Sequence, residues 1–201
     1  MLRFLRTIVL VLVCAAIAAA GLFFWRSPDP AYELQEWISH GRFVKYDPLI
    51  LEAGKKYGVD PMLVKAIVWR ESAFQPQMVG KSGERGLMQV GVAAATDWAR
   101  IEKIEVFTPT DLFDPKTNIE AGVWYFHKAL ERWKSKERPI PFALAEYNAG
   151  RKHVDDWVTR TGKAEHANAD DLLAVMDYRS TRQYIEDITA RYHFYQKRGR
   201  M

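Results

Sequence analysis

The sequence predicts an all-α domain over residues 46–198, preceded by one apolar helix at the N-terminus. Three observations carry that expectation. Asp47-Pro48, Asp60-Pro61 and Asp114-Pro115 each set a side-chain acceptor ahead of a proline suited to the first turn of a helix. Apolar residues recur at helical spacing: Ile119, Val123, Phe126, Leu130 and Trp133 form one stripe, and Ile185, Ile188, Tyr192 and Tyr195 another. The alternation of a half-buried strand is nearly absent. With 201 residues, 48% apolar, 27% charged and 13% aromatic, the chain has room for one ordinary domain plus a short appendage, and wholesale disorder is excluded.

Taken in order, the first element follows Arg3 and Arg6. Residues Thr7 to Trp25 carry no charge, and at a helical rise they span roughly 28 Å, the thickness of a bilayer core. Two readings compete. A secretory signal peptide would be cut after Ala20, where Ala18 and Ala20 make a small-x-small site. A retained anchor better explains why Gly21–Trp25 continues the apolar run. A lipoprotein reading of Cys14 is weakened by the bulk of Val13 before it. The two arginines predict the N-terminus inside and the rest of the chain outside. Residues 27–45 read as a linker, broken at Ser27-Pro28-Asp29-Pro30, with room for one short helix. Asp47 is expected to cap a helix that stops at Gly58, and Asp60 to cap Met62–Ser72. Asp114 opens the first stripe. Pro141 is expected to start Phe142–Asn148, with Gly150 just past its end.

Several function classes fall away. The net charge of +4 is small and spread out, which argues against a dedicated nucleic-acid binder. One cysteine excludes an internal disulfide framework and a cysteine-based zinc cluster. The five histidines are scattered and form no HExxH pair, so no metal site is expected.

Three segments could carry chemistry. Glu71 falls in the last turn of its expected helix, on the face of Val64, Ile67 and Val68. Desolvation there and the negative end of the helix dipole both disfavour its charged form, as a general acid requires. A terminal glutamate swinging into water is the alternative. Gly83-Glu84-Arg85-Gly86-Leu87-Met88-Gln89 can make a tight turn from which Gln89 reaches a polar ligand, or can be an ordinary loop entering a helix. Ala145-Glu146-Tyr147-Asn148-Ala149-Gly150 can present a hydroxyl and an amide to a cleft, or simply end a helix.

"ESAF" at 71–74, "GERGLMQV" at 83–90 and "AEYNAG" at 145–150 occur together and in that order. "DPKTNIEAGVWYF" at 114–126 and "STRQYIEDI" at 180–188 join them. Together they resemble the transglycosylase SLT domain, the lytic transglycosylases of glycoside hydrolase family 23, similar in fold to goose-type lysozyme. The resemblance implies a lysozyme-like helical domain with a substrate cleft. Its substrate would be the peptidoglycan glycan strand, cut between N-acetylmuramic acid and N-acetylglucosamine to leave a 1,6-anhydro end. Glu71 matches the catalytic glutamate. Met88 and Gln89 match residues lining the cleft, and Tyr147 and Asn148 the pair bordering the reacting sugar. No metal and no organic cofactor is implied. The expected location is the bacterial cell envelope, held to a membrane by the N-terminal helix, with the domain outside the cytoplasm.

The sequence also departs from the family pattern. Gly80 stands where a serine is common, and Glu84 where alanine follows the first motif glycine. Val90-Gly91-Val92 follows "GLMQ", and Ser180 replaces a glutamate. A lysozyme-type hydrolase on the same fold would want a second carboxylate, for which Asp60, Asp97, Glu84 and Glu146 are candidates. A peptidoglycan-binding protein without turnover is a third reading. Trp69, Trp98 and Trp157 are available to stack on sugars or to fill the core.

Overall fold

A computed structural model describes residues 2–27 and 29–199; Pro28 of the breaker cluster lies outside the described residues. The chain divides into two units between Arg42 and Phe43. In the first, α1 runs from Leu2 to Arg26. Its stretch Phe4–Leu22 has a mean hydropathy of 2.4 and none of it is buried, so it is long and apolar enough to cross a membrane. A short α2, Pro30–Ile38, follows, and the Asp29 carboxylate accepts from the Tyr32 N–H at 2.9 Å. The linker thus holds the one short helix it had room for.

The second unit is helical, with two isolated β-bridges around Arg85 the only extended pairing among the described residues. It contains α3 (Asp47–Tyr57), α4 (Pro61–Ser72), α5 (Val92–Ile101), α6 (Pro115–Trp133), α7 (Pro139–Ala149), α8 (Arg151–Arg160), α9 (Ala169–Val175) and α10 (Arg179–Arg198). Short 3₁₀ turns lie at Pro109–Phe113 and Ala164–His166.

Two of the proline signals open helices as expected and two differ in detail. Asp60 caps α4 through the Met62 N–H at 2.8 Å, and Asp114 caps α6 through the Thr117 N–H at 2.8 Å. Asp47, by contrast, is not a cap. It lies inside the first turn of α3 and pairs with Lys65 at 2.8 Å, whose side chain is wholly buried on α4. A buried ammonium needs a counter-charge more than a helix end needs a cap. Helix α7 begins two residues before Pro141, at Pro139. A proline at the third helical position costs little there, because the first four N–H groups of a helix lack intrahelical partners anyway.

Packing follows the stripes. On α6, Ile119, Val123, Phe126 and Trp133 are buried, and the helix packs on α3, α5 and α7. On α10, Ile185, Ile188 and Tyr195 are buried, and this helix lies against α4 and α7. Helix α4 is enclosed: Leu63, Val64, Ala66, Ile67 and Val68 are all 2% exposed or less. Each of its large apolar side chains contributes roughly 1.5–3 kcal/mol by leaving water. The consequence for function is placement, since α4, α7 and α10 bring Glu71, Tyr147 and Tyr184 to one region.

Candidate active site

Helix α4 ends just beyond Glu71. Ala73 takes a left-handed φ of 47° and returns its N–H to the Trp69 carbonyl, and Phe74 follows at φ 62° with its ring fully buried. Two consecutive non-glycine residues in that region are costly unless packing holds them. Here the buried Phe74 ring, 4.8 Å from Phe43, and the Ser72 hydroxyl do so. Ser72 donates to the Leu87 carbonyl at 2.8 Å, which ties the end of α4 to the Gly83–Gln89 turn.

That turn is fixed from below by Asn118 of α6. The Asn118 carbonyl accepts the Met88 N–H at 2.7 Å, and its amide donates to the Arg85 and Leu112 carbonyls at 2.7 and 2.8 Å. Such close approach requires glycine at 86: φ is 76°, and a Cβ would stand 2.3 Å from both the Asn118 amide and the Leu112 oxygen. Arg85 and Val90 exchange backbone hydrogen bonds, and Gln89 between them is held at φ 48°. Its side-chain amide donates to the Met78 and Gly86 carbonyls at 3.1 and 2.9 Å. Its N–H donors are therefore spent on the turn, and only its carbonyl oxygen remains to meet a ligand.

Glu71 is partly buried. Tyr184 of α10 donates its hydroxyl to Glu71 Oε1 at 2.6 Å. Loss of water pushes the Glu71 carboxyl up to about 7, against the lowering effects of the Tyr184 hydrogen bond and the Arg70 charge. The Glu84 carboxylate adds to the rise. Glu71 is thus protonated on about half the molecules at neutral pH. Burial, and after it the Glu71 charge, holds the Tyr184 hydroxyl well above its ordinary 10, so it stays a donor throughout the working range. Because Oε1 accepts from Tyr184, the proton of the neutral acid belongs on Oε2. Tyr147 is held high for the same two reasons in the same order, and donates to the Met88 carbonyl at 2.9 Å.

The remaining site residues divide. Asn148 is exposed and its carbonyl accepts from the Thr181 hydroxyl of α10 at 2.8 Å, which leaves the amide N–H₂ as its donor group. Met88 departs from expectation: its side chain is fully buried and packs on Gly122 of α6, so it does not line a cleft. Its contribution is its backbone, with the N–H on Asn118 and the carbonyl on Tyr147. Trp98 and Trp157 are core residues, donating to the Tyr57 hydroxyl and the Asp177 carboxylate, while Trp69 lies under the Arg191 guanidinium. Tyr184 and Asn118 went unassigned in the sequence although both sit inside quoted motifs, "STRQYIEDI" and "DPKTNIEAGVWYF". No group of three or more His, Cys, Asp or Glu residues able to hold a metal occurs among the described residues.

A partly buried glutamate at the end of α4, held by the Tyr184 hydroxyl beside a glycine-built turn, marks the candidate site of an all-helical domain. Residues 48–169 match the sequence model of the family described as "Transglycosylase SLT domain". The chain belongs to this family. It is 32% identical over 156 residues to the membrane-bound lytic murein transglycosylase F of Desulfosudis oleivorans, a match that covers 75% of this chain and 32% of the relative. It is 34% identical over 137 residues to the protein of the same description in Pseudomonas putida strain GB-1, covering 67% of this chain and 26% of that one. The chain therefore spans a third or less of the length of these relatives. Its fold is similar to that of the 70 kDa soluble lytic transglycosylase of Escherichia coli, with a TM-score of 0.71 at 24% identity, over 84% of this chain and 27% of that one.

Proposed function

We propose that this protein is a membrane-anchored lytic transglycosylase, that Glu71 is its single catalytic acid and base, and that its substrate is the glycan strand of peptidoglycan. Membership of the SLT family supports the reaction class, and relatives carrying the words membrane-bound and murein support the location and substrate. We take residues 1–26 as the anchor, 27–45 as a linker and 46–198 as the catalytic domain, outside the cytoplasm.

The observation that carries the mechanism is the partly buried Glu71 at the end of α4, held by the Tyr184 hydroxyl at 2.6 Å and pushed up to about 7 by loss of water, so that acid and base forms are both available near neutral pH. Neutral Glu71 donates its Oε2 proton to the departing glycosidic oxygen between N-acetylmuramic acid and N-acetylglucosamine. Positive charge grows on the sugar, and the sugar's own N-acetyl oxygen stabilises it. The resulting Glu71 carboxylate then takes the proton of the C6 hydroxyl, whose oxygen closes onto C1 to form the 1,6-anhydro end. Attack within one sugar has an effective concentration that bulk water lacks. Tyr184 keeps Glu71 oriented through both proton transfers. The Asn148 amide and the Gln89 carbonyl oxygen are the groups left to hold the ring. Tyr147 acts from behind, through the Met88 carbonyl. Mass spectrometry of muropeptides released by the detergent-solubilised full chain, with Glu71→Gln alongside, tests this reading.

A further inference from the structure

Arg70 stands directly before Glu71 in the chain, and a permanent positive charge there is a hazard to a general acid. If the guanidinium folded onto the carboxyl, it would hold Glu71 ionised. Consecutive side chains on a helix do not face each other, but an arginine stem is long and flexible enough to bend back. The structure gives Arg70 another place. Its Nε donates to Asp187 Oδ2 of α10 at 2.9 Å. Its guanidinium lies over the Tyr184 ring, with Cζ 5.6 Å from the centroid. The other Asp187 oxygen, Oδ1, accepts from the Gln183 side-chain amide at 2.9 Å, one turn back on α10. Tyr184 itself is buried, and its hydroxyl is the one that Glu71 Oε1 accepts at 2.6 Å. Residues 70 and 71 of α4 thus meet residues 183, 184 and 187 of α10 in one closed set of contacts.

The charged and titratable groups acting on Glu71 are Arg70 on its own helix, Tyr184 from α10, Tyr147 from α7 and the Glu84 carboxylate of the Gly83–Gln89 turn. Arg70 is the one cation of the four. From its seat on the Tyr184 ring it favours the Glu71 carboxylate less than burial opposes it. Asp187 bonds to Arg70 and Gln183, so it bears on Glu71 through Arg70.

We propose that Asp187 is a positioning residue of this site: it seats the Arg70 guanidinium on the Tyr184 ring and so keeps a permanent positive charge off the carboxyl beside it in the chain. It touches no reacting atom. This inference rests on the reading of Glu71 as the acid. With Asp187 gone, Arg70 turns to the one carboxylate of its own helix, Glu71, and an opposite charge that close favours ionisation. In Asp187→Ala, the alkaline limb of the activity profile moves down by about one pH unit, so release above that limb falls roughly tenfold. Asp187→Glu still offers Arg70 a carboxylate and keeps the limb near its wild-type place. Arg70→Gln has no charge to misplace, so its limb lies at or above that of wild type, and adding Asp187→Ala moves it no further. The two side chains are 37% and 30% exposed, so their pairing adds little to stability and the variants fold.

The experiment records muropeptide release against pH for the solubilised full chain and these variants. Beside it, a carboxyl ¹³C titration follows Glu71, assigned with Glu71→Gln. A downward shift in Asp187→Ala, by rate and by titration, that is absent in Asp187→Glu and in the Arg70→Gln background supports the proposal. A Glu71 titration in Asp187→Ala that matches wild type, as a purely structural ion pair would give, or that moves up overturns it. So does a shift that persists without Arg70. If the wild-type chain releases nothing, the transglycosylase reading falls, and the ¹³C titration still decides whether Asp187 governs Glu71 through Arg70.

Discussion

Replacing Glu71 with glutamine should stabilise the fold at alkaline pH while leaving it nearly unchanged in acid. The Glu71 carboxyl is raised from 4.5 to about 7. Between those values the folded chain binds a proton that the unfolded chain has released, so wild-type stability falls as pH rises through this window. At about 1.4 kcal/mol for each pH unit, the full cost of ionising Glu71 in place is ~3 kcal/mol. Glutamine carries no charge, keeps the shape, and offers the Tyr184 hydroxyl the same acceptor. It also brings two N–H donors, and leaving one partly buried and unpaired returns about 1 kcal/mol of the gain. The expected net stabilisation is therefore ~2 kcal/mol at pH 8 and close to zero or slightly negative at pH 4. On a domain of this size that is roughly 4–8 °C in Tm. Thermal unfolding of the solubilised chain followed by circular dichroism, wild type against Glu71→Gln at both pH values, measures the difference. An equal difference at pH 4 and pH 8 would refute the claim that Glu71 sits desolvated and reluctant to ionise.

Other perturbations follow from the same contacts. Tyr184→Phe removes the hydroxyl that favours the Glu71 carboxylate, so the alkaline limb of the activity profile should move up while the maximal rate falls; a pH–rate series checks both, and a limb that moves down counts against the assignment. Asn118→Ala orphans the Met88 N–H and the Leu112 carbonyl together and leaves the Arg85 carbonyl only the Val90 N–H. It should cost about 3 kcal/mol or more in denaturant unfolding, with activity lost alongside the turn. Gly122→Ala places a Cβ 2.6 Å from Met88 Sδ and 2.7 Å from Met88 Cβ, and should destabilise by about 1–3 kcal/mol through overpacking of the site's floor.

The helices were legible because their signals are local. Asp60 and Asp114 are caps because an aspartate before a first-turn proline has few better uses. Asp47 carries the same signal but was misread, since the deciding fact is Lys65, eighteen positions on and buried against Tyr195. Glu71 was legible for two local reasons, its helix-end position and its apolar face. Tyr184 was not, because it reaches Glu71 from a helix 113 residues away, and nothing in a single sequence reports that approach. Met88 shows the opposite error. A motif residue expected to line a cleft is turned inward, because Gly122 leaves a slot on α6 that its side chain fills. Glu146, a candidate second carboxylate in the sequence, is instead buried and paired with Arg132 and Trp133, a network assembled across α6 and α7 that no local signal reports.

In the proposed function, one glutamate both breaks the glycan bond and makes the sugar close on itself. The most direct test is the mass of the muropeptides released from purified peptidoglycan by the solubilised full chain. Products one water lighter than those of hydrolysis are expected, and none from the Glu71→Gln variant. Products with hydrated reducing ends, or release that survives the loss of Glu71, would contradict it.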